Sequence, residues 1–345
     1  MLPRAEVRID PRIDWFADVR RTLSPMVGVT DRAFRDICRD FGAGLCFCEF
    51  TAAKGLLYRN EATWSIIDTD GEGGRVGIQI FGSDPEDLGA AARMMRGKRH
   101  DVLDINFGCP AKKVVKKNGG SALLADVDLL RRIVENVVAQ SDLPVSAKFR
   151  LGWDEASVNH AEVGLLLQEA GCVFVTLHGR TRCQKFKGEA DWDRIGELVE
   201  LLDIPVIGNG DIVDGESYEK AVRASRCHAV MIGRGAIGNP WIFQEMAARE
   251  DGLDARAPSL EEIMAMVGRH IRDLSVTRGE RRGSFLVRKH IVKYFRGFPG
   301  AALLRRRLFE AESSEEMLAN LAEIELEVAA ASCGGISAND SRKCC

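Results

Sequence analysis

The chain has 345 residues, 46% of them apolar and 29% charged, with a net charge of −3. Such a chain supports a sizeable core and more than one domain, and the composition excludes a disordered or fibrous protein. No apolar run approaches the ~18–20 residues that cross a bilayer, and Arg4, Glu6, Arg8, Asp10 and Arg12 interrupt the N-terminus where a secretory core would lie. A cytoplasmic protein with no membrane partner is therefore expected.

After a lead-in over 1–21, short β-rich runs recur at regular spacing: Thr22–Met26, Leu45–Phe50, Val76–Phe81, Val102–Phe107, Val145–Arg150, Val173–His178, Pro205–Asn209 and His228–Gly233. Segments with helical spacing lie between them, among them Leu129–Val138, Val163–Ala170, Trp192–Leu202 and Tyr218–Ala224. The runs are apolar on both faces, as in parallel strands covered by helices. Eight such alternations predict an α/β fold, a (β/α)8 TIM barrel over 22–248. The polar stretch 249–258 reads as a linker, and Ser259, followed by Glu261 and Glu262, is the expected N-cap of a helix. Further helices, broken near Gly279–Gly283 and Gly297–Gly300, make a small C-terminal helical domain over 259–331. The Gly/Ser/Asn-rich stretch 332–345 is expected to be disordered.

Charge is distributed unevenly. From Gly268 to Arg307 there are twelve Arg/Lys against only Asp273 and Glu280. That local excess is the footprint of a surface that docks a polyanion. The ten cysteines form neither a C-x-x-C pair nor a metal pattern, so buried free thiols and no metal site are expected.

The stretch VLDINFGCPAKKVVKKNGGSALL at 102–124 puts Cys109 in a turn at the carboxyl end of a strand, beside Lys112, Lys113, Lys116 and Lys117. Strand C-termini are where barrels carry their chemistry. Gln79 and Lys148 fall inside apolar strands, where alternation aims them at the barrel mouth. An unpartnered lysine there is costly, which implies a ligand. Two late turns, Gly208-Asn209-Gly210-Asp211 and Gly233-Arg234-Gly235, follow the seventh and eighth strands. They are suited to a phosphate, since glycines let amides approach it and Arg234 adds charge-assisted bonds.

The ordered segments SPMVGVTDRAFR (24–35), IQIFG (78–82), DINFGCPAKKV (104–114), SAKFRLGW (146–153), TLHGRTR (176–182), IGNGDI (207–212) and IGRGAIGNPWIF (232–243) resemble the motifs of the tRNA-dihydrouridine synthases, nearest the bacterial B-type subgroup. The resemblance implies an FMN enzyme that reduces uridine in the D-loop of tRNA to 5,6-dihydrouridine with NADPH; no obligate protein partner is evident in the sequence. It implies that Pro25, Met26 and Val27 lie along the isoalloxazine, that Gln79 bonds its pyrimidine edge, and that Lys148 favours negative charge on the reduced ring. It further implies that His178 contacts the cofactor, and that Asn209, Gly210, Asp211, Gly233 and Arg234 hold its phosphate. Cys109 would be the proton donor and Asn106 would orient the uracil. Lys112, Lys113, Lys116, Arg180 and Arg182 at the rim, with Arg288 and Lys289 in the basic cluster, are candidate RNA contacts. The loop lysines would push Cys109 towards thiolate unless RNA phosphates held them. Val27 and Ala33 depart mildly from the usual family residues. The rival readings are a dihydroorotate or dihydropyrimidine dehydrogenase-like flavoenzyme, which would not need the basic helical domain, and a non-catalytic RNA-binding relative.

Overall fold

A computed structural model describes residues 2–298 and 300–334. They form two compact units, Met1–Ala236 with Pro240–Ala255 and Ile237–Asn239 with Arg256 onward.

The first unit is the barrel. Its strands are β1 (Arg21–Leu23), β2 (Leu45–Phe47), β3 (Thr51–Ala52), β4 (Val76–Phe81), β5 (Val102–Asn106), β6 (Val145–Arg150), β7 (Val175–His178), β8 (Val206–Asn209) and β9 (Ala229–Ile232). All pairings are parallel, in the order β2-β1-β9-β8-β7-β6-β5-β4-β3, and β2 also pairs with β4. That last pairing closes the ring. The second barrel position, expected as one run over 45–50, is split into β2 and β3 around Cys48–Phe50, and both pieces pair with β4. The first strand stops at Leu23 rather than Met26, which frees 24–29 as a loop over the barrel end.

The helices of this unit are α1 (Arg32–Asp40), α2 (Ala53–Leu57), α3 (Glu61–Ile67), α4 (Pro85–Met94), α5 (Lys112–Val115), α6 (Val127–Gln140), α7 (His160–Glu169), α8 (Trp192–Leu201), α9 (Gly215–Ser225) and α10 (Ile242–Glu250). Several carry sequence-encoded starts. Asp31, Asp84, Asp126, Asp191 and Asp214 accept hydrogen bonds from the first-turn amides of α1, α4, α6, α8 and α9.

Alternation along the strands builds two separate cores. Leu103, Ile105, Val145, Ala147, Val175 and Leu177 point outward under the helices. Leu45, Phe47, Val102, Phe174, Ile207, Ala229 and Met231 point inward. The N-terminal end of that interior is plugged by a 3-10 segment, Pro11–Asp18, whose Phe16 stacks on Phe174 at 4.7 Å. Gly77 makes the plugged end possible, because a Cβ there would meet Phe47 at 2.4 Å. Cys46 and Cys48 face outward together and are fully buried, and burial pushes their thiols up to about 12 and about 11.

The second unit holds α11 (Leu260–Arg278), α12 (Glu280–Tyr294), α13 (Ala301–Glu310) and α14 (Ser314–Gly334). Ser259 caps α11 in a reciprocal box with Glu262. The expected break at 279–283 narrows to Gly279, since α12 starts at Glu280. Ile263, Val267, Ile271, Leu274, Val287, Ile291, Phe295, Leu308 and Met317 are among its buried residues. Helix α14 continues to Gly334, past the expected end at 331. The remainder of the expected tail, 335–345, lies outside the described residues. Among those described, no helix is long and apolar enough to cross a membrane.

Candidate active site

The interior changes character from the plugged end to the open one. The apolar layer gives way to one holding Gln79, Asp104 and Ser146, paired in register across β4, β5 and β6. Above it Asn106 stands opposite Lys148, and Arg150, His178 and Asn209 align across β6, β7 and β8. Each of these residues shares strand parity with the apolar plug, so the polar set fills the same column nearer the strand C-termini.

Cys109 follows β5 directly. Asn106 Oδ1 accepts from the Cys109 amide at 2.9 Å and the Gly108 amide at 3.1 Å, which forms the turn. Arg150 Nε donates to Gly108 O at 2.8 Å, and Ser121 Oγ donates to Cys109 O at 2.9 Å. The thiol is partly buried, and burial raises its pKa although Arg150 and Lys148 oppose the shift. The loop lysines, expected to push it towards thiolate unless held elsewhere, are not among the groups that shift it. Lys112, Lys113, Lys116 and Lys117 are exposed, and the opposing charges come from β6 beneath. A protonated thiol at neutral pH is what a proton donor requires.

Lys148 Nζ donates to Asn209 Oδ1 at 2.8 Å, and Asn209 Nδ2 donates to Met231 O at 2.8 Å. Burial and the neighbouring Arg150 hold the Lys148 ammonium down to about 7. His178 is buried, and desolvation together with Lys148, Arg150, Arg180 and Arg234 keeps its pKa well below the usual value. His178 is therefore neutral, a hydrogen-bonding group rather than a charge. Gly210, at φ 140°, turns the chain beneath it: a Cβ there would sit 2.4 Å from Ala190 and 3.4 Å from the His178 ring.

On the other side of the mouth, the loop after β1 is held by Glu49, which accepts from Gly28 N at 2.5 Å, and by Thr30 Oγ1, which accepts from Met26 N at 3.0 Å. Pro25 is buried, Met26 half-buried and Val27 exposed. A Cβ added at Gly233 would meet Met26 Sδ at 3.7 Å and Ser24 Cβ at 3.8 Å, so the β1 loop and the turn after β9 are neighbours. Arg234, with 59% of its side chain exposed, lies 3.7 Å from Asp211 and over the exposed ring of Phe186 at 4.6 Å. Four cations thus surround His178, while Asp211 pairs with two of them, Arg180 at 2.5 Å and Arg234 at 3.7 Å. The excess of positive charge, the depressed lysine and the apolar surface of Met26 and Val27 fit an anionic, partly apolar ligand.

Residues 22–331 match the family described as dihydrouridine synthase (Dus). The chain is 37% identical over 298 residues to tRNA-dihydrouridine synthase B of Pasteurella multocida (strain Pm70), covering 86% of this chain and 90% of that protein. It is 36% identical over 303 residues to tRNA-dihydrouridine synthase B of Pseudomonas aeruginosa, covering 88% and 91%. It is 37% identical over 328 residues to a probable tRNA-dihydrouridine synthase of Mycobacterium tuberculosis, covering 91% and 84%. The chain belongs to the dihydrouridine synthase family. Among solved structures, it is similar to 6-hydroxypseudooxynicotine amine oxidase from Pseudomonas geniculata, with TM-score 0.52 at 13% identity over 78% of this chain and 53% of that one. That likeness concerns the barrel fold.

Two expectations for this dihydrouridine synthase need correction, those for Gln79 and Arg180, and the partners of the other candidates are now defined. Gln79 is not at the mouth. It is fully buried one layer below, because Asp104, directly opposite in register, takes its amide nitrogen at 2.6 Å. Asn106 has its oxygen committed to the Cys109 turn and its Nδ2 to Gln79 Oε1 at 2.6 Å, which leaves one amide hydrogen. Arg180 is not a rim residue: it is 2% exposed and donates to Lys187 O, Gly188 O and Asp211. The Asp211 carboxylate accepts from Arg180 and from Ala190 N at 2.8 Å. Arg182 is half-buried and stacks over Trp153 at 4.2 Å. In the helical unit, Arg288 donates to Ala311 O at 2.8 Å and lies over Phe309 at 5.6 Å, whereas Arg281, Arg282, Lys293 and Arg296 are exposed.

One residue beneath the Cys109 turn escaped the sequence reading, Asp104, whereas Arg150 stands among the polar strand ends that the alternation marks. The signal for Asp104 was present: an acid inside VLDIN shares strand parity with Asn106.

Proposed function

We propose that this protein reduces uridine in tRNA to 5,6-dihydrouridine, using bound FMN and NADPH as reductant. The observation that carries the reading is the half-buried Cys109 thiol, held on a backbone turn by Asn106 and Arg150 at the strand ends that also carry Lys148 and His178.

When bound, FMN supplies the hydride that goes to carbon 6 of the uracil. The chain's own residues do the rest. Cys109 delivers the proton to carbon 5, and its raised pKa keeps that proton in place at neutral pH. Lys148 would favour negative charge on the bound flavin, and neutral His178 would offer it a hydrogen bond. Arg234 and the glycine turns at Gly210 and Gly233 would hold its phosphate, with Asp211 orienting Arg180 behind them. Met26 and Val27 would supply apolar contact. A uridine inside folded RNA must be flipped to reach such a mouth, at a cost of a few kcal/mol that backbone contacts offset. Lys112, Lys113 and Lys116 on the barrel, with exposed Arg281, Arg282, Lys293 and Arg296 and half-buried Lys289 in the helical unit, supply those contacts.

The test is direct. Purified protein given NADPH and an unmodified tRNA transcript should convert uridine to dihydrouridine in the D-loop, read by nucleoside mass spectrometry. Turnover of free orotate or uracil with no effect on tRNA would instead support the dehydrogenase-like reading.

A further inference from the structure

The Cys109 turn is the top of a hydrogen-bond chain that starts at a buried carboxylate. Asp104 is 1% exposed, in the middle of β5. Its Oδ1 accepts from Ser146 Oγ at 2.6 Å and its Oδ2 from Gln79 Nε2 at 2.6 Å. Gln79 Oε1 accepts from Asn106 Nδ2 at 2.6 Å, and Asn106 Oδ1 accepts from the Cys109 and Gly108 amides.

Two of these links are side-chain amides, whose oxygen and nitrogen could in principle exchange places. The ends of the chain forbid it. An ionised carboxylate only accepts, so Gln79 must turn its nitrogen down to Asp104 and its oxygen up. A backbone amide only donates, so Asn106 must turn its oxygen to Cys109 and its nitrogen down. Both ends demand one polarity, and every intermediate group satisfies it. A carboxylate with so little solvent and no ion pair costs free energy to bury, which a core of ordinary residues would avoid. Burial raises its pKa to about 6, although Ser146, Gln79 and Lys148 oppose the shift.

We infer that Asp104 is a positioning residue for proton delivery, setting the amide polarity of Gln79 and Asn106 that fixes the Cys109 turn. The inference rests on Cys109 being the proton donor. Asp104 itself touches no substrate. An asparagine at 104 offers Gln79 a nitrogen as well as an oxygen, so the polarity would be held only from the Cys109 and Gly108 amides, and the turn would be pinned from one end instead of two.

The experiment compares the flavin-loaded parent with Asp104→Asn, Cys109→Ala and the double variant. Reduction by NADPH and reoxidation by tRNA are timed separately. Asp104→Asn should slow reoxidation roughly tenfold, as expected for a displaced acid, with NADPH-driven reduction and tRNA affinity near the parent's. In the Cys109→Ala background the same substitution should cost nothing further. Amide exchange at Gly108 and Cys109 should quicken in Asp104→Asn while the other strands keep the parent's protection.

The outcomes separate the two ideas. If Cys109→Ala reoxidises at the parent's rate, the proton-donor reading fails. If Cys109→Ala is slow but Asp104→Asn is not, or slows reoxidation by the same factor in both backgrounds, the positioning role fails. Loss of exchange protection throughout the barrel would also overturn it, since that marks a merely structural residue. Should Asp104→Asn not fold, Ser146→Ala takes its place. Removing that donor should loosen the carboxylate and slow reoxidation two- to fivefold, roughly, only where Cys109 is present, and a parent-like rate would overturn the role.

Discussion

Lys148 Nζ lies 2.8 Å from Asn209 Oδ1, and this one bond ties the ends of β6 and β8 across β7. The lysine is thereby fixed at the barrel mouth, and its ammonium is held down to about 7 by burial and Arg150. A base whose folded pKa is depressed binds fewer protons folded than unfolded between that value and the ordinary lysine value of ~10.5. Its penalty on stability is therefore full below about pH 7 and fades as pH rises.

Binding an anion beside Nζ reverses that shift and takes up a proton. Flavin affinity should fall between pH 7 and 9, by up to about tenfold per unit, and Lys148→Met should flatten the slope. Flavin fluorescence titrations across this range check it. Equal slopes in parent and variant would mean Lys148 does not face the bound ring.

Arg234 is largely exposed and only loosely tied to Asp211 at 3.7 Å, so it is free to turn to a phosphate. Arg234→Ala should weaken flavin retention by ~1.5–3 kcal/mol, the worth of a charge-assisted bond. Retention measured after gel filtration would stay at the parent level if the phosphate lies elsewhere.

How much of this was legible beforehand depended on whether a residue's partner lay in its own segment. The barrel strands were visible because parallel strands under helices are apolar on both faces, and Ser259 announced its own cap. Gln79 and Lys148 stood out as polar groups in apolar runs. What they bond to did not, because Asp104 and Asn209 come from other strands. Arg180 sits in a motif next to exposed Arg/Lys-rich sequence, and nothing local says that Asp211, thirty-one residues on, draws it inside. The plug made by Phe16 on Phe174 likewise joins segments far apart. The split of the second strand at Cys48–Phe50 follows no turn residue.

The same distinction refines the RNA test. Arg288 anchors α12 to Ala311 and Phe309, so Arg288→Ala should lower the stability of the helical unit by about 1–2 kcal/mol, seen in urea unfolding. Arg282→Glu with Arg296→Glu changes exposed residues instead. This pair should weaken tRNA binding and make its salt dependence shallower, by roughly 0.7–0.9 log units per phosphate contact removed. An unchanged salt slope would move the docking surface to Lys112, Lys113 and Lys116.

His270 and His290 are buried together in the helical unit, with ring centroids 4.5 Å apart. Desolvation holds His270 down to about 3 and His290 well below its usual value. The unfolded chain therefore binds more protons below about pH 6.5, and stability must fall as pH drops from there towards 3. His290→Phe should reduce that slope in urea melts between pH 6.5 and 4. An identical slope in parent and variant would mean that carboxylates alone set the acid sensitivity.

Cys109 as proton donor is best tested by separating the half-reactions of Cys109→Ala. NADPH should reduce the bound flavin at close to the parent rate, because the thiol takes no part in that step. Reoxidation by tRNA should slow by something like the ~10²–10⁴ that a general acid contributes. An equal loss in both half-reactions, or none in the second, would contradict it.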